Sequence, residues 1–446
     1  EIASCLVGSE MCIRDSMKIN RPCRRLIALV VSLCPLLAYA QHAYTLDECL
    51  ELTLKNNVRI MNADNDLNAA KLQKKAAFTN YFPTVSASGG GFLADKGLLE
   101  MDTESGRLSL VDDGIVGGVT ATLPLFAGGQ IVNANRLADV NVEVSRLLRR
   151  QSENEVRLTV EQYFWQVVTL KEKLRTISML QSQLEQIRRD VEAAVAAGVT
   201  DRNDRLQVEL RNNEMRSRHI SVSNTLDVSL HLLAQYIGCP KDGAGHFDVD
   251  WEMDGALPPR PDELYRSPES SLPLTVEYGL LDKQVDAGRL QHKMSIGKNM
   301  PVVSVGGGYV YENLMDRGHS FWMGGITVSV PISKWCGGSH EVRRKKLQVR
   351  NAENRMADQC ELLVIRMRNA WNGVNDAYKQ VEIAIESIGQ AGENLRLLSD
   401  YYKAGTCTMS DLLEAQTLYQ KSRDKYVESC SMYEIKKREY LQATGR

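Results

Sequence analysis

The sequence predicts a mainly helical chain with a small β portion of the kind that enters an outer membrane, built as two tandem repeats. Three observations predict it. The stretch "VTATLPLFAGGQ", Val119 to Gln130, returns in altered form as "ITVSVPISKWCGG", Ile326 to Gly338. In each copy, alternating apolar and polar residues run into a proline and a Gly-Gly pair, and a long charged helical pattern follows. Between the copies lies a stretch with Pro240, Pro258, Pro259, Pro261, Pro268 and Pro273, half of the chain's 12 prolines. Such a segment cannot continue a helix and divides the chain.

The amino-terminal part comes first in chain order. Glu1 to Ser16, "EIASCLVGSEMCIRDS", precedes Met17 and reads as non-native upstream sequence. From Met17 a basic stretch leads into an apolar run from Leu26, and Ala38-Tyr39-Ala40 has small-x-small form. Residues 17–40 therefore read as a secretory signal peptide cleaved after Ala40. A lipoprotein reading would use Cys34, but bulky Leu33 stands where a small residue is expected. Of 10 cysteines, Cys49, Cys239, Cys336, Cys360, Cys407 and Cys430 follow this segment. They form no C-x-x-C pair and read as isolated reduced thiols.

Residues 41–239 form the first repeat, 240–270 a proline-rich linker and 271–446 the second repeat. Each repeat reads helix, strand, loop, strand, long helix, turn, helix. The helical run from Thr45 reaches "NYFPTVSASGGG", and the run from about Thr275 reaches "KNMPVVSVGGGY". Pro83 maps to Pro301 and Pro124 to Pro331, offsets of 218 and 207 by subtraction. Gly198 to Gly405 and Asp204 to Asp411 keep the offset of 207. The length change therefore falls in the loop joining the strands.

Four strands are expected. Trp322, Gly324, Ile326, Val328, Val330 and Ile332 share one face, with Met323, Gly325, Thr327 and Ser329 on the other. Val119, Ala121, Leu123 and Leu125 repeat the pattern, as do Val303, Val305, Gly307, Tyr309 and Tyr311, and more weakly the segment from Thr84 to Phe92. Runs of about ten alternating residues suit outer-membrane strands, although soluble hairpins look similar. Four strands cannot close a barrel, and lipid does not tolerate an open edge. If these strands enter a membrane, several copies must pool them.

The long helices carry heptad-like apolar spacing. In the first, Leu170, Leu174, Ile177, Leu180, Leu184, Ile187, Val191 and Ala194 recur. In the second, the series runs from Cys360, Leu363 and Met367 through Val374 and Val381 to Leu395 and Tyr402. Rods on the order of 100 Å must pair with other helices, and the shorter runs from Asp204 to Ile237 and from Asp411 to Ala443 are available.

This arrangement resembles the TolC family of outer-membrane efflux and secretion ducts. The residues carrying the likeness are "YFPTVSASGGG", "LPLFAGGQ", "AGVTDRNDRLQ" and "AGTCTMSDLLEAQTLY". Their order and duplication are more specific than any one of them, and they span Thr45 to Ala443. The resemblance implies a homotrimer with a twelve-stranded outer-membrane β-barrel continued by an α-helical barrel across the periplasm. It implies a passive duct for a tripartite efflux or type I secretion system. A periplasmic adaptor would join it to an inner-membrane pump of the RND or ABC type.

The resemblance also assigns residues. Pro124, Gly128 and Gly129, with Pro331, Gly337 and Gly338, become the corners where barrel strands hand over to rods. Proline ends a ladder and glycine supplies free dihedrals there. Asp411 and Glu414 match acidic rings that narrow the periplasmic entrance, and six such carboxylates would attract cations. Acids in a first helical turn can equally serve as caps. Tyr402 and Asp204 match a latch between neighbouring coiled coils. Cys407 stands where the family's second latch uses an Arg, with Arg202 and Arg205 as possible replacements. Gly198, Val199, Thr200, Gly405 and Thr406 match the tips that an adaptor hairpin touches.

Other classes find less support. The formal charge is -2 and there is no Lys/Arg-dense block, which argues against nucleic acid. No catalytic, phosphate-loop or histidine-ligand pattern points to an enzyme or a cofactor. Cys407 and Met409 are soft donors, but isolated sulfur residues usually pack. A stand-alone porin should carry about eight strands or more, and a soluble periplasmic coiled-coil scaffold would need none.

Overall fold

A computed structural model of the chain describes residues 43–94, 99–103, 106–110, 113–239, 248–251, 256–314, 317–332 and 334–446. The upstream segment 1–16, the signal peptide 17–40 and the start of the proline-rich linker lie outside the described residues.

Two helices open the first repeat. Strand β1, Ala43–Tyr44, pairs in parallel with β6, Asp248–Val249. Helix α1, Leu46–Asn56, starts at a capping box in which Thr45 and Glu48 satisfy each other's backbone N–H. Asn57 caps α2, Val58–Phe78, accepting from the Arg59 N–H at 2.9 Å. Strand β2, Thr84–Leu93, leads through a small hairpin, β3 (Leu99–Thr103) and β4 (Gly106–Leu110), to β5, Asp113–Ala127. Then come α3, Gln130–Ala196, and α4, Arg202–Ile237. The second repeat follows the short α5, Pro268–Ser271, with α6, Val276–Gly297, β7, Val302–Leu314, and β8, Arg317–Ser329. It ends with α7, Lys334–Lys403, and α8, Met409–Ala443. The length difference between repeats sits in the strand loop, as the offsets require: the hairpin β3–β4 occupies it in the first copy, and two residues, 315–316, join β7 to β8.

The four long strands form one antiparallel sheet in the order β2-β5-β7-β8. Its register aligns the alternation across all four. Val85, Ala121, Gly307 and Gly324 lie opposite one another in succession, as do Ala87, Val119, Tyr309 and Trp322. Directly paired residues share a face, so this row, with Val305, Ile326 and Val328, makes one face apolar. Ser86, Thr120 and Gly308 are matched on the other, and Thr327 pairs with Ser304 there. The apolar face is bare: Trp322 is 79 % exposed and Ile326 69 %. Among the described residues, the outer edges of β2 and β8 have no strand partner.

The core sits instead in the helices, in three patches rather than one. At 67 and 70 residues, α3 and α7 span about 100 Å each at about 1.5 Å per residue. Phe164, Trp165, Val168, Leu233, Ile237 and Cys49 pack α1, α3 and α4 together. Val374, Val381, Tyr426, Val427, Tyr433 and Tyr440 pack α7 on α8. Leu184, Val191, Val208, Met215, Met409 and Leu412 close the far end. Much of the predicted heptad series, Ile177, Leu180, Leu184, Val191, Met367, Val374 and Val381, is buried. Burial pushes the Cys49 thiol up to about 12, in keeping with a reduced, unreactive cysteine.

The described part of the proline-rich linker is a strap rather than a loose spacer. Three tyrosines at heptad spacing on α8 hold it. Tyr433 donates to the Pro259 carbonyl at 2.9 Å, and Tyr426 to Ala256 at 3.4 Å. The Tyr440 hydroxyl accepts from the Arg266 N–H at 2.9 Å and donates to the Arg266 carbonyl at 3.4 Å. Prolines supply no N–H and keep this segment out of a ladder, so tyrosine hydroxyls satisfy its backbone groups instead.

Candidate functional site

The functional regions are the two strand-to-helix junctions and the two helical tips at the opposite end. At the first junction, Pro124 lies inside β5 at a register shift between Pro124 and Phe126. A missing N–H is tolerated at such a bulge. The chain then turns at Gly128 and Gly129, with φ of 59° and 72°, into α3. Left-handed backbone favours glycine, so the turn falls on the two glycines named for the expected corner.

The second junction corrects it. Pro331 lies just beyond β8, but Gly337 and Gly338 fall within the first turns of α7 and have no positive φ. They therefore do not supply the bend. The reason is visible in spacing: Gly128 lies four positions after Pro124, and Gly337 six positions after Pro331. The two extra residues let α7 begin before its glycines. Gly338 has another use, because a Cβ there would overlap the Asn299 side chain.

The tips are built alike. Gly198 and Gly405 end α3 and α7 with φ of 71° and 73°. Each closes a Schellman motif, with Val199 N–H bonded to Ala194 O at 2.9 Å and Thr406 N–H to Tyr401 O at 2.9 Å. Val199 is 80 % exposed, and Gly198, Gly405 and Thr406 are exposed beside it. Thr200 is half-buried because its hydroxyl donates to Asp204 at 2.6 Å.

Asp204 and Tyr402 do meet. The Tyr402 hydroxyl donates to the Asp204 carboxylate at 3.3 Å, joining the end of α7 to the first turn of α4. Burial and the nearby Asp204 charge both raise the Tyr402 pKa, so it stays a donor. Two further bonds, from α8 or to it, tie the coiled coils on the tip side. Ser410 donates to Gln207 at 3.1 Å, and Arg211 to Gln420 at 3.3 Å. Arg211 and Gln420 are buried. Sequence reading did not single out this pair, although an Arg on the seam-facing side of α4 is a usable signal.

Cys407 is half-buried and donates to the Leu398 carbonyl at 3.4 Å. It lines a tip cavity of about 560 Å³ together with Val199, Thr200, Asp204 and Tyr402. Arg205 is paired to Glu209 on its own helix at 3.4 Å. Met409 is 1 % exposed and part of the tip core, so its sulfur is packing.

Asp411 and Glu414 lie on one exposed face of α8, three residues apart. Asp411 closes a capping box: it accepts from the Thr408 hydroxyl at 2.6 Å and N–H at 2.9 Å. These bonds hold its carboxyl below the ordinary range, so it carries full charge at neutral pH. Capping and an acidic ring are compatible, because the cap uses one carboxylate oxygen and leaves the charge exposed.

A bare, two-faced sheet on paired rods defines one subunit of a membrane channel. The chain matches the outer membrane efflux protein family over residues 49–239 and 283–446, and it belongs to that family. Solved structures agree in fold. The chain is similar to the CmeC outer membrane channel of Campylobacter jejuni at 16 % identity and TM-score 0.76, covering 90 % of this chain and 85 % of that one. It resembles the outer membrane protein VceC of Vibrio cholerae at 12 % and 0.74, with coverages of 90 % and 96 %. The open MtrE channel of Neisseria gonorrhoeae is similar at 15 % and 0.70, with coverages of 90 % and 88 %. No curated protein shows a significant sequence match. The chain is thus an outer membrane efflux protein by family, and its fold is that of the outer membrane channels named above.

Proposed function

We propose that three copies of this chain form a passive exit duct, fed by an inner-membrane RND or ABC pump through a periplasmic adaptor. The observation that carries the reading is the incomplete sheet. It has one face for lipid, one for water, and two open edges. Edges are not tolerated in hydrocarbon, so β8 of one copy pairs with β2 of the next. Three such sheets make a closed twelve-stranded barrel, and the rods below extend it.

In this reading the tips form the periplasmic entrance. Asp411 and Glu414 ring the axis, Tyr402 and Asp204 latch the closed state, and Gly198, Val199, Thr200, Gly405 and Thr406 meet the adaptor. Pro124, Gly128, Gly129 and Pro331 orient barrel against rods, while Gly337 and Gly338 act within α7. The test is recording in planar bilayers. Purified protein is expected to be trimeric and to conduct, and Asp411→Asn with Glu414→Gln to raise conductance or relieve divalent-cation block. A conducting monomer refutes the duct, and unchanged conductance and block in the double variant remove the acidic ring alone.

A further inference from the structure

A basic pocket lies where the rod of the first repeat passes the end of the chain's last helix. Its cavity, about 270 Å³, is lined by Arg150 and Arg157 of α3, Arg438 and Gln442 of α8, and Arg446 beyond it. Two carboxylates are near. Glu161 is buried and takes the Arg438 guanidinium at 2.5 Å. Glu153 lines the pocket but is already paired with Arg149 at 2.7 Å. Among the described residues, Arg150, Arg157 and Arg446 have no carboxylate within ion-pair distance.

Part of this charge answers the end of α8. Arg150 donates to the Gly445 carbonyl at 3.0 Å, and Arg446 to the Leu264 carbonyl at 2.7 Å while lying over the Tyr440 ring. A helix end offers only about half a negative charge and the Arg446 main-chain carboxylate one more, which leaves about half of the three guanidinium charges unanswered. Those bonds also hold the forks in place. Arg157 has no protein partner within this set, and the Gln442 side-chain oxygen is buried without a hydrogen bond.

We propose that this pocket binds a phosphate-class oxyanion, which bridges the first repeat's rod to the carboxyl end of α8. Guanidinium forks present paired N–H groups that match the oxygens of such an anion. Rotation of the Gln442 amide adds a donor and relieves its unpaired oxygen. The bound anion neutralises the arginines and clamps the two repeats together at mid-rod, away from both the entrance and the barrel. The inference does not depend on the assignment of the tips.

Titration calorimetry tests it, with inorganic phosphate added to the purified full-length protein and potassium chloride at equal ionic strength as reference. One saturable site per chain is expected. Arg157→Gln and Arg150→Gln each weaken it at least about tenfold, while Arg157→Lys, which keeps charge but loses the fork, falls between. Should either Gln variant fail to fold, protection of the wild-type Arg157 from phenylglyoxal by phosphate reads the same site. Three outcomes overturn the proposal. They are no saturable phosphate binding beyond chloride, equal affinity in the variants or no protection, and a neighbouring subunit's carboxylate filling the pocket in the assembled channel.

Discussion

Substituting Gly128 separates what its backbone angle demands from what its neighbour demands. Gly128 and Gly129 share a left-handed φ, 59° and 72°. Asparagine visits that region at low cost, so Asn at either position isolates the effect of adding a side chain. At Gly129 the nearest atom to a new Cβ is the Asn133 amide nitrogen at 3.6 Å, an ordinary contact. At Gly128 the Cβ would overlap the Gly297 carbonyl oxygen and lie 2.9 Å from that residue's carbonyl carbon and Cα. These are backbone atoms at the end of α6, so nothing can rotate aside. Relief needs a shift of the helix end against the corner, and overpacking of this kind costs about 1–3 kcal/mol. Gly129→Asn is therefore expected to cost a few tenths of a kcal/mol and Gly128→Asn about 1–3 kcal/mol. Chemical denaturation in detergent, followed by tryptophan fluorescence at one protein concentration, reads the difference. Equal losses at the two positions, or none at Gly128, would refute the claim that close approach rather than φ fixes this glycine.

Three further outcomes are expected. Tyr402→Phe removes a bond of 3.3 Å to Asp204, worth about 0.5–1.5 kcal/mol, so the open-to-closed ratio should rise by about two- to twelvefold for each subunit's bond lost, read from single-channel open probability; an unchanged value discounts the latch. Tyr433→Phe leaves the Pro259 carbonyl without its donor at 2.9 Å, and the cost of about 1–3 kcal/mol should appear as faster proteolysis of the strap, more so than for Tyr426→Phe, whose bond is 3.4 Å. In a Glu414→Gln background, divalent-cation block should persist to lower pH with Thr408 intact than with Thr408→Ala, because the Thr408 bonds depress the Asp411 pKa; coincident block–pH curves would show that the cap does not tune this carboxylate.

Period carried most of the legible information. Alternation at Val119 to Leu125 and Trp322 to Ile332 gave the strands because each face has one environment, and the register merely lines those faces up. Heptad spacing found Ile177, Leu184, Val374 and Val381 because coiled helices bury every third or fourth residue. The tips were readable for a local reason, since Gly198 and Gly405 end helices by their own backbone freedom. What failed or was missed depended on contacts far apart in sequence. Gly337-Gly338 looked like a bend by analogy with Gly128-Gly129, yet Gly338 answers to Asn299 across space. The strap held by Tyr426, Tyr433 and Tyr440 showed in sequence only as a proline-rich divider and three tyrosines seven residues apart. The cross-coil bond from Arg211 to Gln420 spans 209 positions, so the local pattern could mark Arg211 but not its partner.

The two junctions, alike in sequence and unlike in detail, lean on one helix end. Gly297, buried at the end of α6, meets Gly128 of the first junction, while Asn299, two residues on, meets Gly338 of the second. The end of the first helix of the second repeat therefore touches both corners, through backbone at the first and through a side chain at the second. This answers what duplication accomplishes. A sheet hung from a single corner could swing, and its edge would meet a neighbour at no fixed angle. Hung from two corners that touch one helix end, the sheet is steadied at both, which suits the closed ring of three copies proposed above. Contact at that helix end and incompleteness at the edges are in this sense complementary: the proposed closure by self-association draws on both.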